Sequence, residues 1–184
     1  MSSEPSPLLL VTALLLTAAA GYCDLRTALI PNRLIAIGAG VVLCARVLPV
    51  AAAGSWQGVL WALAAGVLGL LATALVPLLL YRFGGIGGGD VKLLGTLGLA
   101  LGPLYGVEAE LYAFALTLLY APLRLSYEGT LLRTLTASTA MLVRPFMPAA
   151  RRAAPAGQAL TSFRFAPAIF LATLLTAALH VWGA

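Results

Sequence analysis

From Trp56 to Tyr81 this chain carries no charged side chain, and the same is true from Pro7 to Cys23. Runs of that length match the roughly 17–25 apolar residues an α-helix needs to cross the hydrocarbon of a bilayer. In lipid every backbone N–H and C=O must find its partner within the protein, which leaves helices and closed barrels. Long unbroken runs, in place of short alternating segments, select helices. Composition agrees, with 61% hydrophobic and 9% charged residues in a chain of 184, against roughly 25% charged in a soluble domain. The expectation is an all-α, polytopic integral membrane protein, with residues 1–184 as one transmembrane domain.

Six spans are expected, at about 7–23, 33–50, 56–81, 91–106, 107–124 and 164–182. The third is long enough to tilt or to break near Pro77. The fourth and fifth require a very tight turn containing Gly102-Pro103 and Glu108/Glu110. Gly95, Gly98 and Gly102 share one helical face and would admit a neighbouring helix closely. The first run is read as a retained helix, not a cleaved signal. Its leading residues hold Glu4 and no Lys or Arg, and bulky Tyr22 precedes Cys23.

With six spans, Arg26, Arg33, Arg82, Lys92, Arg124 and the arginines from 133 to 164 fall on one side. Glu4, Glu108, Glu110 and His180 fall on the other, and among the basic residues only Arg46 leans that way. The excess of Lys and Arg on cytoplasmic loops orients the chain with both termini extracytoplasmic. Asp24 and Asp90, the only two aspartates, then share the cytoplasmic face. Residues 125–163 are read as a basic cytoplasmic loop with an interfacial segment that holds anionic lipid.

The net charge of +5 does not point to nucleic acid, because the basic residues are dispersed over short loops. Cys23 and Cys44 offer neither a disulfide framework nor a CxxC metal pair. HExxH is absent and His180 is the one histidine, so a zinc peptidase lacks ligands. Ser126, Ser138 and Ser162 have no evident His or Lys partner, and Gly84–Asp90 lacks the end of a phosphate-binding loop. No metal or cofactor is expected.

Ionisable residues at a membrane edge are candidates for function. Taken singly, each aspartate has a plain structural explanation: Asp90 as an N-cap, Asp24 as a helix-end charge beside Arg26. Taken together they suit peptide hydrolysis by two carboxylates. One is ionised and takes a proton from water; the other is protonated and polarises the scissile carbonyl, and the pair shares one proton. Gly87, Gly88 and Gly89 would let an extended substrate lie against the backbone ahead of Asp90. A small proton- or cation-coupled transporter using the same two acids and a non-catalytic assembly scaffold are the alternatives.

Gly87-Gly88-Gly89-Asp90-Val91-Lys92-Leu93-Leu94 resembles the GxGD signature of the type IV prepilin peptidase family. Asp24-Leu25-Arg26-Thr27-Ala28-Leu29-Ile30-Pro31-Asn32 resembles that family's first motif. Phe163-Arg164-Phe165-Ala166-Pro167-Ala168 resembles its Pro-Phe-Ala-Pro segment, with Arg164 in place of the first proline. The resemblance implies an aspartic endopeptidase of the bacterial inner membrane that removes leaders from prepilins or pseudopilins after a Gly, on the cytoplasmic side. It implies Asp24 and Asp90 as the catalytic pair. Gly87, Gly88, Gly89, Lys92, Pro31 and Asn32 are the residues expected on the substrate side. The N-terminal CxxC insertion that accompanies N-methylation in many members is missing, so the chain resembles the short, peptidase-only form of tight-adherence pili.

Overall fold

The computed structural model describes residues 5–127 and 164–182. The expected loop at 125–163 lies, apart from its first three residues, outside them. The described residues form five helices and no strand: α1 (Pro7–Thr27), α2 (Asn32–Ala52), α3 (Trp56–Arg82), α4 (Gly88–Tyr127) and α5 (Ala166–Trp182). Three of these, α1, α2 and α3, are long and apolar enough to cross a membrane. The protein is an all-helical membrane protein.

Local chemistry sets the boundaries. Ser6 caps α1, its Oγ accepting from Leu9 N–H at 3.4 Å, with Pro7 at the first helical position. Ala28, at φ 54°, closes the same helix in the left-handed region. Ser55 caps α3 through Gly58 N–H at 3.0 Å. Helix α3 passes Pro77 without interruption, so the break considered there does not occur. Its end is a Schellman closure: Gly84 at φ 75° donates to Tyr81 O at 2.9 Å and Gly85 to Leu80 O at 2.8 Å.

Helix α4 consists of two limbs separated at Gly102, whose φ 81° and ψ −179° are non-helical. A Cβ on Gly106 would lie 2.9 Å from Gly98 Cα. Residues eight apart in a straight helix are about 12 Å apart, so the chain doubles back at Gly102 and the limbs pack against each other. Pro103 begins the second limb, where its missing N–H costs nothing. The reversal therefore ends before Glu108 and Glu110. Both were expected in the turn, and both instead occupy helix, with Glu110 buried.

The expected glycine face is the place where α3 and both limbs of α4 meet. A Cβ on Gly98 would overlap Thr73 Oγ1 and Gly69 O, and one on Gly69 would overlap Gly98 O. Thr73 Oγ1 uses this proximity to donate to Leu94 O at 2.9 Å. Arg46, the basic residue out of place in the charge pattern, also has a use here. It donates to Leu99 O and Ala100 O at 2.9 Å each and to Ala62 O at 3.2 Å. A cation thus satisfies carbonyls that the first limb of α4 leaves open at its C-terminus.

The interior is built from small or compact residues, among them Ala13, Ala20, Ala100, Ala109, Ala113 and Ala172, with Leu93, Leu94, Leu97 and Ile169. Two buried hydroxyls return to their own helices, Thr17 to Ala13 O and Thr173 to Ile169 O, both at 2.8 Å. The outer surface carries the large apolar groups, including Trp56, Leu71, Leu118 and Leu119. That inversion of the soluble pattern suits lipid as the surrounding solvent.

Candidate active site

Asp24 lies in the last turn of α1, not after it, because the helix continues to Thr27. It is buried, at 7% relative exposure. Its Oδ2 accepts the backbone N–H of Ala166, in the first turn of α5, at 3.3 Å. Arg164, just ahead of that helix, donates from Nη1 to Leu25 O at 2.6 Å. Phe165 is buried and packs on Phe114 with ring centroids 5.4 Å apart. A Cβ on Gly21 would be 3.6 Å from Pro167 Cα. The end of α1 and the start of α5 are thus in close contact.

Asp90 lies in the first turn of α4, one residue ahead of the apolar run that begins at Val91. Its own N–H reaches Gly87 O at 3.1 Å, while the N–H of Gly87 bonds back to its carboxylate. Asp90 thus stands at the third helical position, its carboxylate taking the otherwise open N–H of the residue before the helix; the N-cap expected at Asp90 itself lies at Gly87. Partial burial pushes the Asp90 carboxyl up to about 7, the negative charge of Asp24 adds to this, and the Gly87 bond opposes it. Asp24 and Asp90 are thereby within electrostatic reach of each other, although 66 positions separate them in sequence (90 − 24).

Two contacts bring the expected motif segments together. Gly89 faces Ile30, where an added Cβ would come within 3.2 Å of the Ile30 Cβ. Lys92 Nζ donates to Asn32 Oδ1 at 2.8 Å. Gly88 lies against Tyr81, 3.3 Å from its ring for an added Cβ. Close approach, not positive φ, is what this glycine run provides; the positive φ belongs to Gly84. Pro31 is exposed at the N-cap of α2, and its carbonyl accepts from Leu34 N–H at 3.0 Å. It shapes the start of that helix.

Three helix ends and the start of α5 therefore surround one carboxylate pair. Sequence reasoning brought out Asp24 and Asp90 but gave no role to Arg164 or Ala166. The resemblance of the Phe163–Ala168 segment was the available signal; a backbone N–H leaves no trace in a side-chain pattern.

This arrangement defines a helical membrane protein with two acids at one end of its bundle. The chain matches the model of the type IV leader peptidase family over residues 9–122, and it belongs to that family. It is accordingly a peptidase of the type IV leader class, whose members act on prepilins. The match spans both aspartates and stops short of Arg164. Neither curated proteins nor solved structures give a match.

Proposed function

We propose that this protein is an aspartic endopeptidase that cleaves prepilin or pseudopilin leaders after a Gly, using Asp24 and Asp90 with an activated water. One observation carries the reading: helix ends far apart in sequence converge so that Asp24 acts electrostatically on Asp90. Asp90, pushed up to about 7, holds the proton and polarises the scissile carbonyl. Asp24 is the ionised partner. With Oδ2 engaged by Ala166, its Oδ1 takes the proton from water as the oxygen of that water attacks the carbonyl carbon. The tetrahedral intermediate then collapses as Asp24 gives that proton to the leaving amine and is ionised again.

The distribution of Lys and Arg supports six spans, extracytoplasmic termini and a site at the cytoplasmic face of a bacterial inner membrane. The substrate's apolar stalk then lies in lipid and its basic leader in the cytoplasm. The glycine run, exposed at Gly87 and half-buried at Gly88 and Gly89, is with Lys92, Asn32 and Pro31 beside it the surface along which the cleavage segment extends. Residues 1–184 act as one domain, with 125–163 as its basic cytoplasmic loop.

The test is reconstitution in liposomes with a prepilin bearing a basic leader, a Gly cleavage site and an apolar stalk, read by mass spectrometry. Cleavage after Gly should fall by roughly 10²–10⁴-fold in both Asp24→Asn and Asp90→Asn. Undiminished cleavage in either variant removes that residue from the mechanism. Failure of the folded wild type on several prepilins favours the coupled transporter or the scaffold.

A further inference from the structure

The two carboxylates have unlike surroundings. Asp24 sits at the C-terminal end of its own helix, where the macrodipole disfavours an anion. It is compensated from outside by the first turn of α5, through Ala166 N–H at 3.3 Å, where the dipole has the opposite sign. Arg164, two residues ahead of Ala166, brings a full positive charge to the same end of α1. That guanidinium is held by its bond to Leu25 O at 2.6 Å, a last-turn carbonyl of α1 without an intrahelical partner of its own. Both fixing contacts bridge more than 130 positions of sequence, 139 and 142 respectively.

The other charges near the pair are differently engaged. Arg26, on α1 itself, lies over the Tyr22 ring at 5.3 Å from its centroid. Lys92 on α4 is bonded to Asn32. Asp90 on α4 is negative when ionised, and its charge opposes ionisation of Asp24. Arg164 is the cation that a separate segment brings to the end of α1 that carries Asp24, and it stands where the family's segment has proline.

We propose that Arg164 is a positioning residue for Asp24: with the N–H of Ala166, it holds this carboxylate as the ionised, proton-accepting member of the pair. The role rests on the aspartic peptidase reading for its use in catalysis, but its effect on Asp24 can be measured without substrate. The guanidinium is exposed, so its influence is partly screened and depends on ionic strength.

Because the chain has only two aspartates, protein labelled with ¹³C at aspartate carboxyls gives two signals, assigned with Asp90→Asn. Titration in bilayers at low salt is compared for the wild type, Arg164→Lys and Arg164→Gln. In Arg164→Gln the Asp24 midpoint should rise by roughly half to one pH unit, a three- to tenfold change in proton affinity. Arg164→Lys should keep the wild-type midpoint to within a few tenths of that scale. Added salt should move the wild type toward Arg164→Gln and leave that variant nearly still.

Cleavage assays on the same samples should show the acid limb of kcat/KM moving upward in Arg164→Gln alone. An Asp24 midpoint unchanged in Arg164→Gln overturns the proposal whatever the cleavage rate. So does an activity loss shared by Arg164→Lys and Arg164→Gln with no shift of the acid limb, which marks a purely structural contact. Asp24→Asn, run alongside, reports separately on the peptidase reading: if it still cleaves, that reading fails even when the titration shift is present.

Discussion

Lys92 Nζ and Asn32 Oδ1 meet at 2.8 Å, tying the first turns of α4 to the start of α2, sixty residues apart in sequence. With Gly89 pressed on Ile30, this strap makes one surface of two segments that carry the catalytic candidates or adjoin them.

The strap is solvent-exposed, so its worth in stability is small, about 1 kcal/mol. Asn32→Ala should leave the melting temperature within a few degrees of wild type and lower kcat/KM several-fold through a looser glycine run. Kinetics and thermal melts of one preparation check this. A loss near that of Asp24→Asn would instead place Asn32 in the chemistry.

Asp90 carries a pH signature. Its folded value of about 7 lies above the ordinary 3.8. Between those two values the folded protein keeps a proton that the unfolded chain has released. Stability from this group is therefore full below about 3.8, declines as pH rises, and is lost above about 7. Asp90→Asn should gain on the wild type in melting temperature from pH 5 to pH 8. Cleavage by the wild type should decline as pH rises through about 7, with a midpoint belonging to the coupled pair. A variant advantage that is constant with pH contradicts the assignment.

The glycine contacts make a sharp comparison. Gly98→Ala forces a Cβ into Thr73 Oγ1 and Gly69 O and should destabilise the fold by about 1–3 kcal/mol or more. Gly40→Ala, in α2 with nothing within 4 Å of the added carbon, should be neutral or stabilising by up to about 1 kcal/mol. Thermal unfolding in one detergent distinguishes them; equal effects would mean that the α3–α4 contact is looser than described.

Arg46 gives a third contrast. Arg46→Met keeps much of the side-chain length and removes three donors to carbonyls. It should cost about 2–4 kcal/mol, while cleavage by the folded fraction persists, since Arg46 binds carbonyls of α3 and of the C-terminal end of the α4 limb whose N-terminal end carries Asp90. Melting curves and active-fraction kinetics decide it.

Much of this was legible in the sequence, since lipid imposes long apolar runs and makes an isolated acid conspicuous. The candidates Asp24 and Asp90 and the three membrane-length helices α1, α2 and α3 were read from those constraints. What escaped depended on backbone geometry. The reversal at Gly102 is a matter of dihedral angles, and a glycine in a helical pattern does not reveal whether it packs or turns; Glu110 was misplaced as a result. Arg46 seemed an exception to charge asymmetry because its partners are carbonyls, which every residue possesses. Ala166 contributes to the site through its N–H alone.

That last contact has a consequence for how the protein is made. Asp24 emerges from the ribosome 142 positions ahead of Ala166. A chain still in synthesis can present its early segments to the membrane, but it has not yet received the hydrogen bond that holds its first acid. A chain that has emerged only through α4 therefore carries both aspartates but not the N–H that holds Asp24, and the surroundings of the pair are completed only when α5 is made.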